Sequence, residues 1–323
     1  MSNTGIYLGQ QKVNPLWLAP MAGVTDKPFR ILAGEQGCDL AFTEMISSKA
    51  LEFGNPKTWN MLDIKGESPI GIQLFGSSPS VLAAAAKVAQ AQGGSIIDIN
   101  MGCPVPKIVG NGEGAALMQQ PLLAESIVNR VAASVDIPVT VKIRAGWDKN
   151  SITAPALAKR LAAAGAAAIT VHGRTREQMY SGKANWEIIA QTVKAVEIPI
   201  IGNGDIWSGK EALAMQKQTG CAGIMVARGA MGNPWLFAEI KAAFRDTDYQ
   251  PPSLQQRITM ALRHFHMELA YRGRERGVLF MRKHLAWYLK GLPETAPLKK
   301  SIFAETCPQT IEAMLSAYLL QNR

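Results

Sequence analysis

Five polar residues stand within segments whose pattern otherwise predicts buried β-strands: Gln73, Asp98, Asn100, Lys142 and His172. Successive side chains of a strand point to opposite faces, so the Ile, Val and Leu residues beside each polar residue occupy one face and the polar side chain occupies the other. Amide, carboxyl, ammonium and imidazole groups offer hydrogen bonding, charge stabilisation and proton transfer. Gathered on one face, they predict a polar reaction site.

Taken singly, most of these residues also have a structural explanation. An inward Asn or Gln commonly satisfies hydrogen bonds inside a core, and a lone histidine such as His172 serves structure as readily as chemistry. Lys142 is the more informative residue, because burying an ammonium group is costly unless a polar or anionic partner offsets the loss of water.

Cys103 lies in the run Asn-Met-Gly-Cys-Pro at 100–104, directly after one of these strands. A thiol on such a turn is predicted to open onto the site, whereas Cys38, Cys221 and Cys307 are expected to be packing residues. The four cysteines form no C-x-x-C pair and do not cluster with histidine. We therefore expect neither a disulfide framework nor a metal site.

Two loops have the composition of a phosphate site. Asn203, Gly204 and Asp205 follow one predicted strand, and Ala227 and Arg228 follow the next. Backbone N–H groups and an arginine at these places suit a phosphorylated cofactor. No G-x-G-x-x-G follows a strand and no P-loop is present, so a nicotinamide dinucleotide is expected only as a diffusing reductant.

The elements that must position these groups alternate between short apolar strands and Ala-rich helices, which is the pattern of βα units around a parallel sheet. Eight strands are predicted, at 16–21, 40–44, 70–74, 96–100, 139–143, 168–172, 198–203 and 223–226. Eight is the number of a (β/α)8, or TIM, barrel, whose active site lies at the carboxyl ends of its strands. Glycines at 37, 93, 165 and 220 are predicted to end helices before the next strand.

The pattern changes at a polar stretch around 245–253, and beyond it only helical periodicity remains. We predict an α/β barrel over 1–246 and a small all-α domain of three or four helices over 247–323, with one helix near 278–290. From residue 241 onward thirteen Lys/Arg face seven Asp/Glu, within a chain of net charge +9. This excess predicts an acidic partner, since clustered cations attract phosphates.

Hydrophobic residues make up 47% of the chain and charged residues 18%, which excludes disordered and fibrous classes. The first ten residues do not have the pattern of a signal peptide, and no uncharged apolar run is long enough for a membrane span. The sequence therefore predicts a cytoplasmic protein without a membrane association, and it gives no sign of an obligatory protein partner.

Together these segments resemble the dihydrouridine synthases, specifically the bacterial B-type branch, across nearly the whole chain. The segments that match are APMAGVTD at 19–26, EM at 44–45, QLFG at 73–76, DINMGCP at 98–104, VKIR at 141–144, HGRT at 172–175, NGD at 203–205, RKH at 282–284 and WY at 287–288. The combination is specific, although no single segment would be.

The resemblance implies a flavin-dependent tRNA-dihydrouridine synthase that carries FMN and uses NADPH or NADH. Pro20, Met21 and Ala22 would lie along the flavin ring, with Gln73 and Lys142 at its pyrimidine edge. Phosphate would lie at 203–205 and 227–228, where Ala227 replaces the usual glycine.

The remaining roles implied by the resemblance concern the substrate. Cys103 corresponds to the residue that protonates C5 of uracil after a hydride reaches C6. Asn100, His172 and Arg174 match positions near the uracil, His172 being counted also with the cofactor site. Arg282 and Lys283, in the basic helical domain, are expected to bind tRNA.

Two alternatives remain open at the level of sequence. A flavoenzyme for a free small molecule, of the dihydroorotate dehydrogenase kind, would share the barrel but would not need the basic helical domain. A non-catalytic RNA-binding protein would keep that domain but would not need Cys103, Lys142 and His172 at one barrel mouth.

Overall fold

The eight predicted strands form a closed parallel ring. The computed structural model describes residues 5–322, and its barrel strands are β3 (Leu16–Leu18), β4 (Leu40–Phe42), β6 (Ile70–Phe75), β7 (Ile96–Met101), β8 (Val139–Arg144), β9 (Ala168–His172), β10 (Ile200–Asn203) and β11 (Gly223–Val226). Each pairs in parallel with its neighbours, and the β3–β11 and β4–β6 pairings close the ring. The predicted (β/α)8 barrel is confirmed.

Three short strands were not predicted. The hairpin of β1 (Ile6–Leu8) and β2 (Gln11–Val13) precedes the barrel, and β5 (Ile46–Ser47) extends it beside β6. Leu8 and Val13 of the hairpin pack with Trp17 and other residues near the amino ends of the strands. The hairpin therefore covers the end of the barrel opposite to the predicted site.

The predicted strand ends differ where the chain leaves the sheet. The first strand ends at Leu18 rather than residue 21, because Met21 begins a turn in which its carbonyl accepts hydrogen bonds from Val24 and Thr25, each 3.0 Å long. The seventh begins after Pro199, which lacks the N–H that a ladder requires. These differences leave the inward side chains in the predicted register.

Helices cover the outside of the ring. They are α1 (Lys27–Glu35), α2 (Ser48–Glu52), α3 (Pro56–Asn60), α4 (Pro79–Ala91), α5 (Pro106–Val109), α6 (Pro121–Ala132), α7 (Ala154–Ala163), α8 (Trp186–Ala195), α9 (Gly209–Thr219) and α10 (Leu236–Arg245), with 3-10 turns at Gly114–Gln119 and Arg228–Ala230. The four glycines predicted to end helices all have positive φ. A large apolar cluster lies between these helices and the strands.

Four further helices follow in residues 254–322: α11 (Leu254–Arg272), α12 (Arg274–Tyr288), α13 (Thr295–Ala304) and α14 (Pro308–Gln321). The helix predicted at 278–290 is α12, which begins four residues earlier and ends two earlier. Ser253 starts α11 with a capping box, in which its side chain and that of Gln256 bond each other's backbone N–H. The helices share an apolar cluster of their own, which Leu32 of α1 joins.

No helix within the described residues is both long and apolar enough to cross a membrane.

Candidate active site

The inward polar residues of adjacent strands converge at the carboxyl end of the barrel. Gln73 donates to Asp98 at 2.6 Å and accepts from Asn100 Nδ2 at 2.8 Å. Thr140 donates to the other oxygen of Asp98 at 2.7 Å. These contacts fix the Gln73 amide, so that one N–H and one lone pair remain available to a bound molecule.

Asn100 also shapes the turn that carries the thiol. Its Oδ1 accepts from the backbone N–H groups of Gly102 at 3.1 Å and Cys103 at 2.9 Å. Arg144, at the end of β8, donates from Nε to the carbonyl of Gly102 at 2.7 Å. Cys103 is half-buried on a backbone held from both sides, and burial raises the pKa of its thiol.

Arg144 was not predicted to have a role of its own, although it lies two residues beyond Lys142 on the same face of the strand. Its Nη1 donates to the carbonyls of Thr175 at 2.9 Å and Met179 at 2.8 Å. One buried guanidinium therefore joins the Cys103 turn to the loop after β9. Alternation along β8 was the signal that could have found it.

Lys142 lies on β8, the strand next to this turn, where it pairs in register with Asn100. Its Nζ donates to Asn203 Oδ1 at 3.3 Å, and among residues 5–322 no carboxylate oxygen lies within ion-pair distance of it. Burial lowers the pKa of Lys142 to about 8, with the neighbouring Arg144 guanidinium acting in the same direction. A buried cation that interacts with Asp98 but makes no direct ion pair within residues 5–322 fits a ligand that carries or acquires negative charge.

His172 is buried beside Lys142, and its Nδ1 lies 3.3 Å from the backbone oxygen of Asn203. Burial, together with Lys142 and Arg144, holds the pKa of His172 well below its ordinary value. Its imidazole is therefore neutral near pH 7 and adds no charge; a proton on Nδ1, which faces the carbonyl of Asn203, leaves Nε2 as a hydrogen-bond acceptor.

The loop after β3 forms the rim opposite Lys142. Pro20 and Met21 are partly buried and Ala22 is exposed, so this backbone is open to the mouth. Glu44 accepts a hydrogen bond from the N–H of Gly23, and His284 Nε2 lies 3.3 Å from the carbonyl of Gly23. The loop is thus held by the barrel on one side and by α12 on the other.

The two predicted phosphate loops line one small cleft, with His172 at its inner end. Ala227 has φ −119°, so this position does not need the conformation that glycine favours. A Cβ on Gly229 would lie 2.1 Å from the carbonyl of Ile206, which requires glycine there. The close backbone and the neighbouring Arg228 suit an anionic group such as a phosphate.

Arg174 is placed behind this cleft rather than in open space. Its guanidinium forms an ion pair with Asp205 at 2.8 Å and donates to the carbonyls of Ser181 at 3.0 Å and Gly182 at 2.6 Å. Asp205 also accepts from the N–H of Ala184 at 2.7 Å. Arg174 and Asp205 therefore fix the backbone of these loops by hydrogen bonds, in the same way that Asn100 fixes the backbone of the Cys103 turn.

The two cationic residues predicted on the helical segment differ in their surroundings. Arg282 donates to the carbonyl of Glu305 at 2.8 Å, which ties α12 to the end of α13. Lys283 Nζ lies 4.7 Å from the ring centre of Phe280 and 2.8 Å from where a Cβ on Gly23 would stand. Lys283 therefore lies at the barrel mouth, beside the rim loop.

A parallel barrel with a thiol, a lysine and a phosphate-sized cleft at its carboxyl mouth defines an enzyme of the (β/α)8 class, with its reaction site at that mouth. The family model described as "Dihydrouridine synthase (Dus)" matches residues 17–322. The chain belongs to this family, which confirms the resemblance drawn from its motifs.

Relatives at about 40% identity cover most of the chain. The "Probable tRNA-dihydrouridine synthase 1" of Synechocystis sp. is 43% identical over 88% of this chain and 81% of its own length. The "tRNA-dihydrouridine synthase B" of Xanthomonas axonopodis pv. citri is 40% identical over 97% of this chain and 95% of its own.

Among solved structures, histamine dehydrogenase from Rhizobium sp. 4-9 matches with a TM-score of 0.58 and 14% identity over 81% of this chain. The matched region is 50% of that protein, so this chain spans about half its length. At this identity the likeness concerns the fold alone, and it agrees with the barrel described above.

Proposed function

We propose that this protein reduces a uridine of tRNA to 5,6-dihydrouridine, with FMN as its flavin and NADPH or NADH as diffusing reductant. The observation that carries the proposal is the Cys103 thiol, which Asn100 and Arg144 hold at the same mouth as Lys142. The decisive experiment incubates the protein with NADPH and an unmodified tRNA transcript, then measures dihydrouridine by mass spectrometry. Reduction of free uracil compounds alone would instead favour the small-molecule alternative.

The residues present fit a bound flavin mononucleotide. Gln73 and Lys142 would hold its pyrimidine edge, the loop 20–22 would lie along its ring, and residues 203–205 with 227–228 would hold its phosphate. When bound and reduced, the flavin supplies the hydride for C6 of the uracil. Lys142 offers positive charge beside that ring, which is how a protein favours a reduced, anionic cofactor.

Cys103 supplies the proton in this proposal. A general acid must hold its proton at working pH, and burial raises the pKa of this thiol above an ordinary value that already lies above neutrality. His172 is neutral and adds hydrogen bonding at the cofactor or the uracil. Asn100 and Arg174 act here by fixing the Cys103 turn and the phosphate loops.

The cofactor can be identified directly. Because the small cleft offers one phosphate site and the sequence has no dinucleotide fingerprint, heat release of the chromophore should give FMN and not FAD. Chromatography against both standards, with total flavin quantified, decides this. Recovery of FAD at one equivalent per chain would contradict the assignment.

The helical residues 247–323 are proposed to hold the RNA, since turning a uridine out of its stack costs a few kcal/mol that other contacts must offset. tRNA affinity should fall steeply as the salt concentration rises. Lys283→Gln should make the plot of log affinity against log salt less steep, by about 0.7 to 0.9 in slope. Lys12→Gln, on the hairpin at the opposite end of the barrel, is the control with the parent slope. An unchanged slope in Lys283→Gln would remove this side chain from the interface.

The cytoplasm is the proposed compartment, because the proposed substrate is tRNA.

A further inference from the structure

A second cavity, of about 460 Å³, lies beside the phosphate cleft, between the barrel mouth and the helical segment. Trp207 and Arg228 line its barrel side, Trp287 and Lys290 line its helical side, and Tyr249 lies in the connection between them. Its volume falls within the range of roughly 300–1,000 Å³ that is typical of ligand pockets. The cavity shares Trp207, Arg228 and Gly229 with the phosphate cleft, whereas its helical side takes no part in the proposed cofactor site.

The charges in the cavity are unbalanced. Arg257 donates to the carbonyls of Tyr288 at 2.7 Å and Lys290 at 2.8 Å, where it closes the end of α12. Glu239, the acidic residue of the lining, accepts from the N–H of Gly209 at 2.8 Å, and its single negative charge is smaller than the summed charge of the cations around it. Arg228 pairs with Asp205 at 3.7 Å beside the proposed cofactor phosphate, so the excess positive charge of the cavity comes from Arg257 and the exposed ammonium group of Lys290, and it suits a phosphate.

The aromatic lining adds a second recognition element. Trp207 is 46% exposed, an unusual state for so large a side chain. The Arg228 guanidinium carbon lies 5.6 Å from the Trp207 ring centre and 5.1 Å from that of Tyr180, which is 54% exposed. Exposed aromatic rings beside cations are the arrangement that binds unstacked nucleotides, with the ring taking the base and the cation taking the phosphate.

We propose that this cavity binds a nucleotide adjacent to the target uridine, as a base stacked on Trp207 with its phosphate near Lys290. The inference rests on the proposed function. A uridine that enters the mouth remains joined to its neighbours, which must then lie at the rim. The cavity is built from both the barrel and the helical segment, which suits an RNA that spans both rather than a small molecule held by the barrel alone.

The test is the double variant Trp207→Ala/Lys290→Ala, assayed with an unmodified tRNA transcript. Its Kd for the transcript is expected to rise by about 5- to 100-fold, the range that base–aromatic stacking contributes. The matched control is Tyr7→Ala/Lys12→Ala, an exposed aromatic–lysine pair that is adjacent across the β1–β2 hairpin at the far end of the barrel. This control should bind like the parent.

The outcomes separate the two proposals. A parent protein that neither binds nor reduces the transcript refutes the proposed function itself. A parent that does both, with the double variant binding equally well, refutes the cavity assignment alone. A raised KM for NADPH in flavin reduction, with unchanged tRNA binding, would assign the cavity to the reductant and also overturn the inference.

A second measurement does not depend on a truncated side chain. Stacking of a base on Trp207 should quench part of the intrinsic tryptophan fluorescence when the transcript is added, and Trp207→Phe should lose that part while retaining an aromatic surface. Quenching of equal amplitude in the parent and in Trp207→Phe would show that no base stacks on this ring.

Discussion

Replacing Cys103 by Ala is expected to slow the reoxidation of reduced flavin by tRNA by about 10²- to 10⁴-fold, the usual contribution of a positioned general acid. Reduction of the flavin by NADPH involves no uracil and should proceed at close to the parent rate. Rapid mixing under anaerobic conditions, with flavin absorbance followed in each half-reaction, measures the two rates separately.

The structure indicates that Cys103→Ala removes only the thiol. The turn around Cys103 is held through backbone atoms, by Asn100 Oδ1 at its N–H and by Arg144 at the carbonyl of Gly102. Removing the thiol therefore leaves the turn in place. Slow flavin reduction in Cys103→Ala would show instead that the side chain supports the cofactor site.

Cys103→Ser distinguishes acidity from shape. Serine nearly preserves the volume of cysteine, but its hydroxyl is a far weaker acid than a thiol, so reoxidation should remain slow. If this variant reduced tRNA as fast as the parent, with reoxidation shown to limit the rate, Cys103 would not be the proton donor.

Local pattern was enough to predict the barrel and most of its mouth. Alternation with period two determines which side chains point inward, and parallel strands bring their carboxyl ends to one rim, so Gln73, Lys142 and His172 followed from the sequence. The hydrogen bonds that Asn100 and Arg174 make with backbone groups of the protein did not follow, and their predicted positions near the uracil remain predictions. Whether an amide or guanidinium faces a ligand or its own protein depends on loop backbone, such as the carbonyls of Ser181 and Gly182.

Contacts between distant segments were beyond sequence reasoning. Asp26 and Arg272 are 246 residues apart and form a charged contact between α1 and α11. Arg272 also donates to Glu268 at 2.7 Å, while His264 Nε2 lies 3.7 Å from the other Glu268 oxygen. Neither His264 Nε2 nor this second oxygen of Glu268 has a hydrogen-bond partner within the described residues. Neither alternation nor helical periodicity predicts a buried polar cluster at such a junction.

This cluster lies directly behind the rim loop of the candidate active site. Asp26 caps α1 by accepting from the N–H of Phe29 at 3.4 Å, and it follows the loop that Glu44 and His284 hold. Two buried carboxyl groups here face one guanidinium. Burial lowers the pKa of His264 to about 4, so its imidazole adds no positive charge near pH 7. With both carboxylates ionised, the cluster would carry an uncompensated negative charge.

Asp26 is the group of this cluster that is expected to take up a proton. Burial raises its pKa to about 7 from 3.8, with its hydrogen bond and charge interaction with Glu268 acting in the same direction and Arg272 opposing them. When the pKa of a carboxyl group is higher in the folded protein than in the unfolded chain, the group stabilises the fold most at pH values below its pKa in the unfolded chain. That contribution is lost as pH rises through the folded value, so the loss should occur between about pH 4 and 7.

Asp26→Asn should therefore flatten the dependence of stability on pH. Asparagine keeps the capping oxygen and cannot ionise, so the variant should match the parent near pH 4 and exceed its free energy of unfolding near pH 8. The interval from 3.8 to about 7 corresponds to roughly 4 kcal/mol at most. Urea unfolding across this pH range measures it, with Glu268→Gln as companion: removing that carboxylate should lower the folded pKa of Asp26 and move the loss of stability to lower pH. A parent and an Asp26→Asn variant whose stabilities fall in parallel from pH 4 to pH 8 would show that Asp26 does not take up the proton.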